Sequence, residues 1–289
     1  MHPTGSIRPG SANATGRTVV LVAAALAVAA SLLGSGAFGG TPIASAAEGA
    51  LEPDATLLAP AVPAFSVWSV IYLGLCSYAV WQALPVTARN PRQRRLRYPV
   101  AASLFLNAAW ILVVQADLLL LSAFVILVLV AVLAFTFRIC VTSGPGSALE
   151  AALCDGTLGL YLGWVCVAAA ANISAVLVRA GFSGGSLEPS LWAVCGLVVV
   201  TLVGLGLAAA GRGRFAPAAT LVWGLVWVAV SRLTGALPSA PTAVAALAGA
   251  VCIAAGTLVF RLRDSRRERP VSARATAPDR RGNPGNVPQ

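Results

Sequence analysis

Lysine is absent from the chain, histidine occurs once as His2, and all 20 basic residues are Arg. General-base chemistry by Lys or His therefore has almost no residue to run on within the apolar segments. Six cysteines are present (Cys76, Cys140, Cys154, Cys166, Cys195, Cys252), none spaced as C-x-x-C and none near the histidine. That pattern supports neither a disulfide framework nor a metal site, and these residues read as small apolar side chains within spans. Charge is scarce, at 10% of residues, and no charge falls mid-way along an apolar run. With no internal repeat either, the usual marks of a transporter are lacking. No catalytic dyad is evident, so the expectation is a protein that is not an enzyme, without catalytic residues, metal or resident cofactor.

What is abundant is apolar surface: 58% of the 289 residues are hydrophobic and the mean hydropathy is +0.83, which predicts a polytopic membrane protein. A spanning helix needs about 20 mainly apolar residues. That ruler gives eight spans: Thr18 to Gly36, Ala64 to Leu84, Val100 to Val114, Leu118 to Val141, Leu153 to Leu177, Leu191 to Ala210, Pro217 to Leu233 and Ala243 to Phe260. The fold class is thus all-α, a transmembrane helical bundle. The third and fourth spans are divided only by Gln115-Ala116-Asp117. The pI near 10.4 does not point to nucleic acid, because Arg clusters in every other loop. Cytoplasmic loops carry the basic excess, so both termini are expected inside an inner or plasma membrane, with Arg179 and Arg232 against the trend. Residues 1–17 and 261–289 read as a disordered N-terminal segment and a disordered basic tail resting on membrane lipid. Arg17, the first apolar run and Ala44-Ser45-Ala46 also imitate a cleavable signal; the long gap from Leu33 to Ala46 favours a retained helix.

The stretch Phe65 to Pro85, FSVWSVIYLGLCSYAVWQALP, is unusually rich in aromatic and polar groups for a helix that only crosses lipid. In the expected orientation Trp68 and Tyr72 lie one to two turns below the outer surface and share a face. Asn107 and Trp110 on the third span, and Trp164 and Asn172 on the fifth, fall between that surface and the midplane. An amide in hydrocarbon needs a partner. Taken singly, Asn107 and Asn172 read as interhelical hydrogen-bond glue and the Trp residues as anchors or packing. Together, the six predict a shallow aromatic-lined pocket for a flat hydrophobic ligand.

Three of these stretches carry a resemblance. Trp68-Ser-Val-Ile-Tyr72, LFLNAAW ending at Trp110, and YLGWVCVAAAAN from Tyr161 to Asn172 resemble the second-, third- and fifth-helix motifs of the TspO/MBR family, the tryptophan-rich sensory proteins related to the translocator protein. The resemblance implies a five-helix membrane domain over about residues 18–180, binding a tetrapyrrole (a porphyrin or haem) or a sterol, with a homodimer as a candidate assembly. Departures accompany it: the segment ATLLAPAVPAF keeps Pro60 and Pro63 but lacks the Trp and Lys-Pro elements of the family's capping loop, and Ser66-Val67 stands where the family has Gly-Pro. Spans over residues 181–260 lie outside a five-helix fold. Among them Trp223 and Trp227, four apart, read as packing, and Gly204 and Gly206 as close helix contact. Glu150 and Asp155 are expected at a solvated rim near Arg138. The alternative function is a permease for a small hydrophobic molecule.

Overall fold

The computed structural model describes residues 9–34, 42–182, 184–185 and 187–267. Among them the chain is helical, with eight helices long and apolar enough to span a membrane: α1 Pro9–Gly34, α2 Val67–Ala83, α3 Pro91–Gln115, α4 Leu119–Thr142, α5 Ala148–Arg179, α6 Pro189–Ala210, α7 Phe215–Thr234 and α8 Ala240–Arg267. This is an integral membrane protein with eight spans, as the hydropathy pattern predicts. The division at Gln115-Ala116-Asp117 holds: α3 ends at Gln115, and Asp117 takes a left-handed φ of 60° that reverses the chain before α4.

Helices α1, α3, α4, α5 and α2 pack side by side in that order and close into a five-helix ring. The remaining three form an annex, in which α7 lies along α5 and α8 packs against both α6 and α7. Small residues set these distances. A Cβ on Gly163 would sit 2.1 Å from the Pro217 carbonyl oxygen of α7, and one on Gly204 would sit 2.6 Å from Ile253 of α8. Gly206, also expected at a close contact, faces open space. Trp164, Tyr161, Tyr78, Leu104 and Leu129 are among the large side chains buried inside the ring.

Several boundaries differ from those expected. The segment before Thr18 is helical from Pro9, and α8 runs on to Arg267 rather than stopping at Phe260; the rest of both expected disordered termini, 1–8 and 268–289, lies outside the described residues. The largest change is in α3, which begins at Pro91 rather than Val100. Asn90 caps it by accepting from the backbone N–H of Arg92 (2.9 Å) and Gln93 (3.3 Å), and Pro91 takes the first turn. This is the favoured start of a helix, and it makes the Arg-rich "loop" two helical turns. Cys195 and Cys252 are exposed on the outside of the bundle, whereas Cys140, Cys154 and Cys166 are buried.

Those two turns of α3 carry buried charge. Arg92, 6% exposed, donates to Glu150 (3.1 Å) and to both oxygens of Asp155 (2.8 Å each). Arg214 also pairs with Asp155. The acids are therefore held by Arg92 and Arg214, and Arg138 is exposed and takes no part. Both acids reach one partner because α5 opens with a π-helical stretch, Ala151–Gly156; the wider turn brings residues five apart onto one face. At the opposite, acidic end, the two exceptions to the Arg alternation have local partners. Arg179 bonds Asp117 (2.6 and 2.9 Å) and Glu48 (3.0 Å). Arg232, buried, donates to the carbonyls of Leu237 (2.7 Å) and Pro53, with Asp54 at 3.8 Å.

Candidate ligand site

All six residues singled out from the sequence come together in the half of the ring toward the acidic end, in two adjoining groups. In the first, α2 and α5 contribute a cluster of aromatic rings and α3 contributes Asn107. Trp68 lies 5.4 Å from Tyr72, 5.9 Å from Tyr161 and 6.3 Å edge-on from Trp164, measured between ring centroids. Phe65, on the short turn leading into α2, closes over Trp164 at 5.8 Å. Asn107 Nδ2 donates to the Tyr72 hydroxyl at 2.6 Å, and the four-residue spacing of Trp68 and Tyr72 on α2 stacks the two rings on one face. In the second group, Trp110 Nε1 donates to Asn172 Oδ1 (3.1 Å), and Asn172 Nδ2 donates to Ser122 Oγ (3.0 Å). That group ties α3, α4 and α5 together.

The groups differ in how well their polar atoms are satisfied. Asn172 is 0% exposed and fully engaged, the interhelical glue that an amide in hydrocarbon requires. In the aromatic group, Trp164 Nε1–H and Asn107 Oδ1 are both buried and have no hydrogen-bond partner among the described residues. One is a donor and the other an acceptor. Each unpartnered group in a dry environment costs about 1–3 kcal/mol. They flank the Trp68–Tyr72 pair, whose rings are half-buried and form the accessible edge of the cluster.

The segment over this cluster is fastened to the annex. Trp223 Nε1 donates to the Ala64 carbonyl at 2.9 Å, and the Ala61 N–H donates to the Trp227 carbonyl at 3.2 Å. Trp223 and Trp227 therefore do more than pack. They pin the turn that carries Phe65. The pattern W-x-x-x-W after Pro217 is visible in sequence, but nothing in the spacing tells which loop it meets.

The family model described as TSPO-like protein matches residues 17–259. The chain belongs to the TSPO-like protein family. The match runs through all eight spans, the annex included, and no curated protein and no solved structure shows a significant match. In this TSPO-like chain the three motif-bearing helices α2, α3 and α5 converge on the aromatic cluster. A cavity of about 720 Å³ lies elsewhere, between α4, α5 and α6, and none of the six residues lines it.

Proposed function

We propose that this TSPO-like protein is a membrane receptor that binds a flat hydrophobic ligand, of tetrapyrrole or sterol type, at Trp68, Tyr72, Asn107 and Trp164. Trp110 and Asn172 brace the wall behind. The observation that carries this reading is the pair of unpartnered buried groups, the Trp164 N–H and the Asn107 carbonyl, set beside stacked rings. A planar ligand with an acceptor on one edge and a donor on another satisfies both while stacking on Trp68. Among the described residues the cluster offers a haem no axial imidazole or thioether. A metal-free porphyrin is the better-suited probe. The protein acts by binding and not by turnover, since the spans contain no Lys or His to move protons. The Arg-rich end faces the cytoplasm of a plasma or inner membrane.

The test is a titration of the purified protein with protoporphyrin IX, following Trp emission, with Trp164→Phe and Asn107→Ala alongside. Saturable quenching that weakens several-fold in both variants supports the reading. Quenching that never saturates, or that both variants leave unchanged, removes it.

A further inference from the structure

The cavity of about 720 Å³ between α4, α5 and α6 lies in the seam between ring and annex. Its walls run from Cys166 to Val178 on α5 and from Pro189 to Val203 on α6, roughly 18–21 Å at about 1.5 Å per residue. One leaflet of a bilayer holds about 15 Å of hydrocarbon. Because α5 ends at Arg179 and α6 begins at Pro189, both at the acidic end, the cavity starts at the level of one row of headgroups and stops just past the midplane. Trp192 marks that level. It lines the cavity, its N–H donates to the Gly184 carbonyl at 2.9 Å, and Phe182 packs edge-on against it, as suits an aromatic side chain at a membrane interface. Val199, 60% exposed, and Leu127, 49% exposed, leave one side of the cavity open to the bilayer.

At the acidic end the cavity is closed by residues 55–58. Thr56 is 3% exposed, and its hydroxyl has no hydrogen-bond partner among the described residues. A buried unpartnered hydroxyl is unfavourable unless something supplies the missing bond. Charge does not supply it, since none of the described residues lining the cavity is charged. The nearby cations are engaged elsewhere: Arg179 with Asp117 and Glu48, and Arg232 with the carbonyls of Leu237 and Pro53. A free carboxylate would therefore find no counter-ion here. A neutral acceptor at the boundary between headgroup and tail is what the hydroxyl lacks, and the ester carbonyl of a glycerophospholipid stands at that depth. We propose that the cavity holds one phospholipid of the leaflet at the acidic end, with an acyl tail lying along α5 and α6 and its ester carbonyl accepting from the Thr56 hydroxyl. The tail wedges the annex against the ring. Val199 and Leu127 mark the side on which the rest of the lipid joins the bilayer.

The test strips the full-length protein of lipid in detergent and titrates back palmitoyl-oleoyl phosphatidylcholine, counting bound molecules by native mass spectrometry. One lipid per chain binds saturably and raises the melting temperature. Filling the cavity from both walls with Ala170→Phe and Val199→Phe lowers its affinity at least tenfold. Unaltered elution and a cooperative melt that lipid no longer moves show that the filled variant folds. Thr56→Val binds several-fold more weakly than the parent. The dialkyl ether analogue, which keeps headgroup and tails but has no ester carbonyl, also binds the parent several-fold more weakly, and it does not distinguish the parent from Thr56→Val. Lipid binding that survives filling overturns the proposal, as does an ether analogue bound as tightly as the ester. Palmitate bound more tightly than the phospholipid overturns it by giving the cavity to a free acid, and so does displacement of the phospholipid by an equimolar sterol. Trp164→Phe, which weakens porphyrin quenching, leaves lipid binding unchanged, so the failure of either reading leaves the other standing.

Discussion

Asn172 and Trp164 lie eight residues apart on α5, both fully buried, yet the proposed function gives them opposite roles. Asn172→Ala removes the bond from Trp110 Nε1 and the bond to Ser122 Oγ. Interhelical hydrogen bonds in membranes average about 0.6 kcal/mol, so the two account for about 1 kcal/mol. The stranded Trp110 N–H, on a residue only 6% exposed, adds about 1–3 kcal/mol. The sum, roughly 2–4 kcal/mol, lowers the melting temperature by about 5–15 °C on the usual scaling for chains of this size. Trp164→Phe removes an N–H that has no partner. It loses only part of a ring against Phe65 and Trp68, about 1–2 kcal/mol. Its effect falls on the ligand, where one hydrogen bond in a dry site is worth about a factor of ten in affinity. Thermal unfolding in detergent and porphyrin titration of the same two proteins measure both quantities. Asn172→Ala melts early and binds nearly as the parent does; Trp164→Phe melts close to the parent and binds weakly. If Asn172→Ala is as stable as the parent, or if the two variants exchange profiles, the division into brace and ligand contact is wrong.

Arg92→Met takes away the cation paired with Glu150, which keeps only neutral donors, the Gln93 amide and the Gly146 N–H among them, and leaves Asp155 with Arg214 alone, so it destabilises by about 3 kcal/mol, while Arg138→Met, at an exposed position, changes stability by under about 0.5 kcal/mol; chemical or thermal melts compare them. Gly163→Val drives a Cβ into the Pro217 carbonyl and parts α7 from α5, whereas Gly206→Val meets nothing within 4 Å; limited proteolysis of the 180–188 connection should accelerate in the first variant only. The Arg179 guanidinium, donating to Asp117, holds that carboxyl below its ordinary range. A depressed folded pKa means the contribution is fully present above about pH 4 and is lost as pH falls through the folded value. Proteolysis of the 42–61 loop should therefore rise as pH is taken from 6 toward 3 in the parent. In Asp117→Asn it should be fast already at pH 6.

The eight spans were legible because each is an apolar run closed by polar punctuation, and the three motifs could be placed by depth because helical rise is fixed. The start of α3 was not legible, since Arg92 and Arg97 read as loop charges by composition. Their burial depends on partners 58 and more residues away, Glu150 and Asp155 for Arg92, and on the Gln82 side chain and Thr87 carbonyl for Arg97. The signals that were available are the Asn90-Pro91 start and the good helix-forming run after it. The π-helical turn before Thr157 leaves no mark in hydrophobic periodicity over so short a stretch. For the candidate site, the sequence grouped six residues by face and depth, and the structure sets them in two adjoining groups. Which amides are satisfied could not be read, because Ser122, the partner of Asn172, is one serine among many.

Why Arg232 is buried under the acidic end is a question of geometry more than of stability. A guanidinium taken from water rarely repays its desolvation when an apolar residue of similar volume would fit, and Arg232 Nε remains without a partner. What an apolar side chain cannot do is bridge. The Arg232 fork reaches the Pro53 carbonyl in the α1–α2 loop and the Leu237 carbonyl in the α7–α8 turn, while Asp54 accepts the N–H groups of Ala236 and Leu237 at 3.1 and 3.4 Å. Two connections far apart in sequence are thereby locked to one another. Further along the same loop, Thr56 closes the 720 Å³ cavity, and Phe65, just past it, covers Trp164. The loop over the five-helix ring is therefore a strut braced on α7 and not a free flap, and the annex supplies the brace.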